Sequence, residues 1–168
     1  MAKKSNYIVK TEVPQDAPNF SEYSLKPYFE KIGILKPNCQ QERLDCEILN
    51  KKYSTLDGLV YCFVIDGKIL KIGKTDTTME NRIKSYNCGK KAYRENGTCS
   101  TTNYNILQSF LTINKPVEIW AYFVPPIKFE AFGESFEITT SPAKHLEKLF
   151  QEKTQAQFGE KLLFCIQD

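Results

Sequence analysis

Apolar positions fall into three patterns along the chain. The first 20 residues are polar and extended, broken by Pro14 and Pro18. Leu25, Tyr28, Phe29 and Ile32 then recur at helical spacing, and Gly33 stops the short helix they predict. A second helix is predicted from about Cys39 to Lys52, burying Leu44, Ile48 and Leu49. Leu56-Asp57-Gly58 marks a seam, which divides a helical N-terminal arm (1–57) from a core (58–168).

The middle of the chain changes period. Leu59 to Ile65 is a strand, Asp66-Gly67 a turn, and Lys68 to Gly73 a returning strand. A two-residue turn would put Lys71 on the face of Val60, Cys62 and Val64. A three-residue loop, Ile65-Asp66-Gly67, pairs Val64 with Lys68 and so Tyr61 with Lys71. That register gathers Val60, Cys62, Val64, Leu70 and Ile72 on one face and sets Tyr61 beside Lys71 on the other. It segregates the side chains better and is the one expected.

Thr77 with Glu80 three residues on forms a capping box, opening a helix that ends near Tyr86. Arg82 and Tyr86 share a face of it at i, i+4. Further on come a helix from Tyr104 to Leu111, a strand from Val117 to Val124 and a ragged hairpin from Phe129 to Ile138 about Gly133. Ser141-Pro142 caps a late helix reaching about Phe158, with Leu149, Leu146, Phe150 and Ala143 as its apolar arc and Glu147 at the lip. Leu162 to Ile166 is a final short strand. The sum is a small α/β (α+β) protein with a mainly antiparallel three-stranded sheet flanked by helices, plus the arm.

Composition removes several classes. The chain has 168 residues, 41% hydrophobic and 26% charged, enough for a packed core. No apolar run approaches the ~20 residues of a bilayer span, and Met1-Ala2-Lys3-Lys4-Ser5-Asn6-Tyr7 carries no secretory signal, so a cytoplasmic protein is expected. Six scattered cysteines without a C-x-x-C pair read as reduced thiols. The lone histidine, His145, rules out sites that need two and reads as a surface residue. Net charge is only +3, yet base is concentrated from Arg82 through Lys84, Lys90, Lys91 and Arg94, without an acid and with Tyr86 and Tyr93 interleaved. Such a stripe suits a phosphate backbone, although alone it is more often a solvated face.

Tyr61 with Lys71, Arg82 with Tyr86, and Glu147 form the candidate chemistry. Cations stabilise the charge of a five-coordinate phosphate, and a carboxylate holds a hard divalent metal. Singly, each has an ordinary reading: half-buried aromatics, an edge-strand lysine, a helix-surface arginine, and a glutamate paired at i, i+4 with Gln151. Their joint spacing favours phosphoryl chemistry. Asp66-Gly67-Lys68, the only trace of a PD-(D/E)xK pattern, is better explained as a turn.

Leu59-Val60-Tyr61, with Lys71-Ile72-Gly73-Lys74-Thr75 beginning ten residues after Tyr61, resembles the paired motif of the GIY-YIG nuclease superfamily. Arg82 follows Gly73 by nine residues, as that family's helix arginine does, and Glu147 matches its metal-binding glutamate on a late helix. Lys71 replaces the second motif tyrosine and Tyr86 the usual histidine, a variation similar to that of restriction-type members. The size and arm are similar to those of the compact type II restriction endonucleases that cut TCNGA. The resemblance implies double-stranded DNA as substrate, one Mg²⁺ or other divalent ion per active site held by Glu147, and Tyr61, Lys71, Arg82, Tyr86 and Glu147 as catalytic residues. Tyr61, its pKa lowered by Lys71, would orient or deprotonate the water, and Tyr86 would contact the scissile phosphate. Lys74, Lys84, Asn87, Lys90, Lys91 and Arg94 are the candidate DNA contacts. A homodimer on DNA and a cognate methyltransferase in the host are likewise implied. The alternatives are a low-specificity GIY-YIG nuclease of the phage or mobile-element type and a DNA-binding protein of the same fold without turnover.

Overall fold

A computed structural model of the chain describes residues 12–38, 43–89, 101–138 and 142–159. Two 3-10 turns, Phe20–Glu22 and Lys26–Tyr28, lead into β1 (Glu30–Asn38) and β2 (Arg43–Ile48). After a third turn at Lys51–Tyr53 come β3 (Leu59–Ile65), β4 (Lys68–Thr75) and α1 (Met79–Tyr86). A turn at Asn87–Gly89 follows, then α2 (Thr101–Thr112) and β5 (Val117–Phe123). The hairpin β6 (Ile127–Ala131) and β7 (Glu134–Ile138) precedes α3 (Ala143–Phe158).

The α+β class and the mainly antiparallel sheet flanked by helices agree with the pattern of the sequence. The three strands expected there lie side by side as β5, β3 and β4, and two more extend the sheet to the order β2-β1-β5-β3-β4. All its pairings are antiparallel. Every residue of β3 is buried, as suits a strand covered on both faces. On one face Tyr61, Phe63, Ile65 and Leu70 pack with Met79, Ile83 and Tyr86 of α1 and with Tyr104, Leu107 and Phe110 of α2. On the other, Val60, Cys62, Val64, Ile69 and Ile72 pack with Phe20, Tyr23 and Phe29 and with Ala143 and Phe150 of α3.

The two N-terminal helices expected from spacing are not formed. Residues 30–48 are strands instead, apart from a connection outside the described residues. The pairing of β1 with β5 buries Ile32 and Leu35 in the core, which outweighs the helical spacing of Leu25, Tyr28, Phe29 and Ile32. Gly33 sits at a bulge in the β1–β5 ladder, and a Cβ there would collide with the Glu47 carbonyl oxygen of β2. The strand expected at Leu162 to Ile166 lies outside the described residues.

The hairpin register also differs. The turn is the two-residue Asp66-Gly67, with φ of 50° and 74°, and Ile65 pairs with Lys68. A bulge then intervenes: Val64 faces Ile69 while Phe63 faces Lys71, so Leu70 is the extra residue and moves to the Tyr61 face. Lys71 therefore still shares a face with Tyr61, although Tyr61 is opposite Gly73.

Candidate active site

Four elements converge at the edge formed by β4. β3 supplies Tyr61, β4 supplies Lys71 and Lys74, α1 supplies Arg82 and Tyr86, and α3 supplies Glu147. The start of α1 is set by Thr78, one residue later than expected, whose hydroxyl accepts from the Asn81 N–H at 3.3 Å. Thr77 is engaged instead with Thr75, whose hydroxyl accepts from the Thr77 N–H at 3.2 Å. Met79, Ile83 and Tyr86 bury one side of the helix, which turns Arg82 along the rim of the core.

The centre is a phenol pair. The Tyr61 and Tyr86 hydroxyl oxygens are 2.5 Å apart, and Arg82 Nε donates to the Tyr61 hydroxyl at 3.1 Å. The guanidinium also stacks over the Tyr86 ring, 4.9 Å from its centroid. Tyr61 and Tyr86 are 0% and 1% exposed, so Arg82 is the charged face of the trio. Burial drives the Tyr61 pKa well above the usual phenol range, with the Tyr86 hydroxyl adding to it and Arg82 opposing. The lowering expected from Lys71 does not occur: desolvation and the Tyr86 hydroxyl outweigh the positive charge of Arg82. Burial works against the charge of Arg82, but the two phenols more than offset it and its pKa rises.

Lys71 is only 7% exposed, a rare degree of burial for a lysine. Glu147 closes the cluster from the opposite layer. Burial raises its pKa, against the lowering fields of Lys71, Lys74 and Arg82 and a hydrogen bond from the Lys74 backbone. The helix face differs slightly from the expected arc. Leu149 is exposed, while Thr154 is buried and donates to the Phe150 carbonyl at 2.7 Å. The buried positions Ala143, Phe150 and Thr154 thus turn Glu147 inward from the lip. Gln151, expected from the sequence only as an i, i+4 partner of Glu147, donates instead from Nε2 to the Ile72 carbonyl of β4 at 3.1 Å. The only signal for it was its place four residues after Glu147.

The remaining candidates are less concentrated. Lys74 pairs with Asp76, and Lys84 is exposed on the last turn of α1. The Asn87 amide is committed to the edge of β2: Oδ1 accepts from the Leu44 N–H at 2.7 Å and Nδ2 donates to the Leu44 carbonyl at 3.0 Å. Lys90, Lys91 and Arg94 lie outside the described residues. His145 is exposed, as expected, and Asp66 pairs with Lys115 in its turn. Among the described residues no group of three or more His, Cys, Asp or Glu could hold a metal, and no helix is long and apolar enough to cross a membrane. The Glu147 carboxylate, near Lys71, Lys74 and Arg82, still fits Mg²⁺, which keeps several waters and is commonly held through only one or two carboxylates.

No protein-family model and no curated protein matches the chain. Solved structures do. The structure titled restriction endonuclease HPY188I in complex with product DNA is 40% identical, with a TM-score of 0.65, over 92% of this chain and 89% of that one. Bacteriophage T4 EndoII, solved as a mutant, is 18% identical with a TM-score of 0.60, over 80% of this chain and 94% of that one, and shares the fold. Fold and sequence together define a nuclease of restriction type. The chain belongs to the family of the restriction endonuclease HPY188I.

Proposed function

We propose that this protein is a divalent-metal-dependent, sequence-specific endonuclease of the GIY-YIG type that hydrolyses phosphodiester bonds in double-stranded DNA. The observation that carries the reading is the gathering of Lys71, Lys74 and Arg82 about the Glu147 carboxylate, with Asp76 paired to Lys74 as the other acid. Such an excess of cations suits a phosphodiester, whose negative charge grows in the transition state. The relative's complex with product DNA supports DNA as the ligand class.

Each residue then has a role. Arg82, fixed by the Tyr61 hydroxyl and the Tyr86 ring, presents its guanidinium to the phosphate. Tyr61 orients the attacking water as a neutral phenol, and Lys71 holds that water against the phosphorus. Tyr86 backs both Tyr61 and Arg82. Glu147 would hold one Mg²⁺, which when bound would supply Lewis-acid stabilisation at the leaving oxygen. Lys74 and Lys84, with Lys90, Lys91 and Arg94, supply phosphate contacts.

Cutting both strands of a palindrome requires two active sites related by a two-fold axis, so the working form is a homodimer on DNA. Residues 1–57 supply dimer contacts or a clasp besides the strands β1 and β2 that they add to the sheet, and residues 58–168 carry the nuclease site. By resemblance, the site is TCNGA and the host carries a cognate methyltransferase. Alanine substitution tests the assignment: Lys71→Ala, Arg82→Ala and Glu147→Ala each abolish cleavage while duplex binding in EDTA persists. A fully active Lys71→Ala enzyme contradicts the scheme.

A further inference from the structure

α3 crosses the open edge of β4 at two polar points. Gln151 Nε2 donates to the Ile72 carbonyl at 3.1 Å, and the Lys74 N–H donates to the Glu147 carboxylate. Four residues along a helix rise about 6 Å, and two residues along a strand advance about 6.7 Å. The pairs 147/151 and 74/72 therefore match in spacing, with helix and strand running in opposite directions. Gly73 lies opposite Tyr61 in the β3–β4 ladder, and the peptide groups of its neighbours Ile72 and Lys74 face the open side. Without partners, those edge groups would be left for water or another chain.

The contacts of α3 with the sheet through Ala143 and Phe150 are non-directional and tolerate sliding. A hydrogen bond to one named carbonyl does not. The bonds from Tyr23 to the Phe150 carbonyl and from Gln157 to the Glu22 carbonyl tie α3 to the N-terminal segment, not to β4. We propose that Gln151 is a positioning residue that fixes the register of α3 along β4 and so holds the Glu147 carboxylate in place for the metal. This rests on the reading of Glu147 as the metal ligand. Gln151 touches neither substrate nor ion and acts through the helix.

Gln151→Leu keeps the bulk and removes the donor. In the metal-free protein, the Lys74 amide should exchange with solvent at least about tenfold faster. Mn²⁺ binding, followed by water-proton relaxation, should weaken roughly tenfold or more. The Mg²⁺ needed for half-maximal plasmid cleavage should rise by the same factor, with the rate restored at saturating Mg²⁺. Gln151→Asn, which keeps the amide but shortens the reach, should fall between and serves if the leucine variant does not fold. Wild-type amide exchange and Mn²⁺ affinity in both variants overturn the proposal, as does a rate loss that excess Mg²⁺ leaves unchanged. If the wild-type protein cleaves nothing, the nuclease reading fails, whereas the exchange and Mn²⁺ measurements still decide the role of Gln151.

Discussion

The ring of Tyr61 lies across Gly73: a Cβ placed on Gly73 would come within 2.5 Å of the Tyr61 hydroxyl oxygen and 2.6 Å of Cζ. The glycine is what lets the phenol lie flat over β4 and reach Tyr86 and Arg82. One missing side chain on the strand therefore sets the geometry of the site.

Gly73→Ala should displace Tyr61, destabilise the fold by about 1–3 kcal/mol and sharply reduce cleavage. Urea unfolding and a plasmid assay measure the two effects. Gly67→Ala is the control. Its φ of 74° is strained for alanine, but nothing lies within 4 Å, so it should cost about 1 kcal/mol and leave cleavage intact.

Tyr86→Phe keeps the ring beneath Arg82 and removes the 2.5 Å hydroxyl contact. A stability loss of about 1 kcal/mol is expected, with cleavage reduced but present. Arg82→Lys loses both the Nε donor to Tyr61 and the planar stack on Tyr86, so its cleavage should fall further. Single-turnover rates with Mg²⁺ in excess rank the two; Arg82→Lys cleaving faster than Tyr86→Phe contradicts the arrangement.

The site was more legible in the sequence than the fold around it. Tyr61, Arg82 and Tyr86 meet because strand alternation and an i, i+4 helical pair are local rules that survive folding. Arg43-Leu44-Asp45-Cys46-Glu47-Ile48 alternates polar and apolar as β2 requires, but the helical spacing of Leu44, Ile48 and Leu49 obscures that strand signal. The bulge that takes in Leu70 leaves no mark in the local pattern. It follows from joining a two-residue turn to a strand that must keep Lys71 on the Tyr61 face. The high pKa of Tyr61 was equally out of reach, since it comes from burial by helices distant in sequence.

Glu147 costs stability at neutral pH. Its folded-state pKa is raised, so the stability it contributes is fully present below its unfolded pKa of about 4.3 and is lost as pH rises through the raised value. Glu147→Gln should therefore raise Tm at pH 7, with the gap to wild type closing in acid. Cleavage should fall by at least about a hundredfold. Calorimetry across pH checks the first effect and a plasmid assay the second.

Alkaline pH should unfold the protein early. Tyr23, buried and donating to the Phe150 carbonyl at 3.1 Å, has its pKa pushed up to about 12 by burial, and that of Tyr61 is also well above its usual value. Raised folded-state values mean that stability is held below about pH 10, the unfolded value, and lost as pH rises beyond it. Each such tyrosine adds up to about 1.4 kcal/mol per pH unit to the decline. Tyr23→Phe should flatten the fall in denaturant midpoint between pH 10 and 12, and an unchanged slope would contradict the burial argument.

The most direct measurement is to incubate the purified protein with a sequenced plasmid, in Mg²⁺ and in EDTA, and to resolve the products on a gel. Discrete fragments in Mg²⁺ alone are the expected result and map the site. A plasmid left intact in Mg²⁺, yet still retarded by the protein, would contradict the nuclease reading and leave Lys71, Arg82 and Glu147 as a phosphate-binding surface.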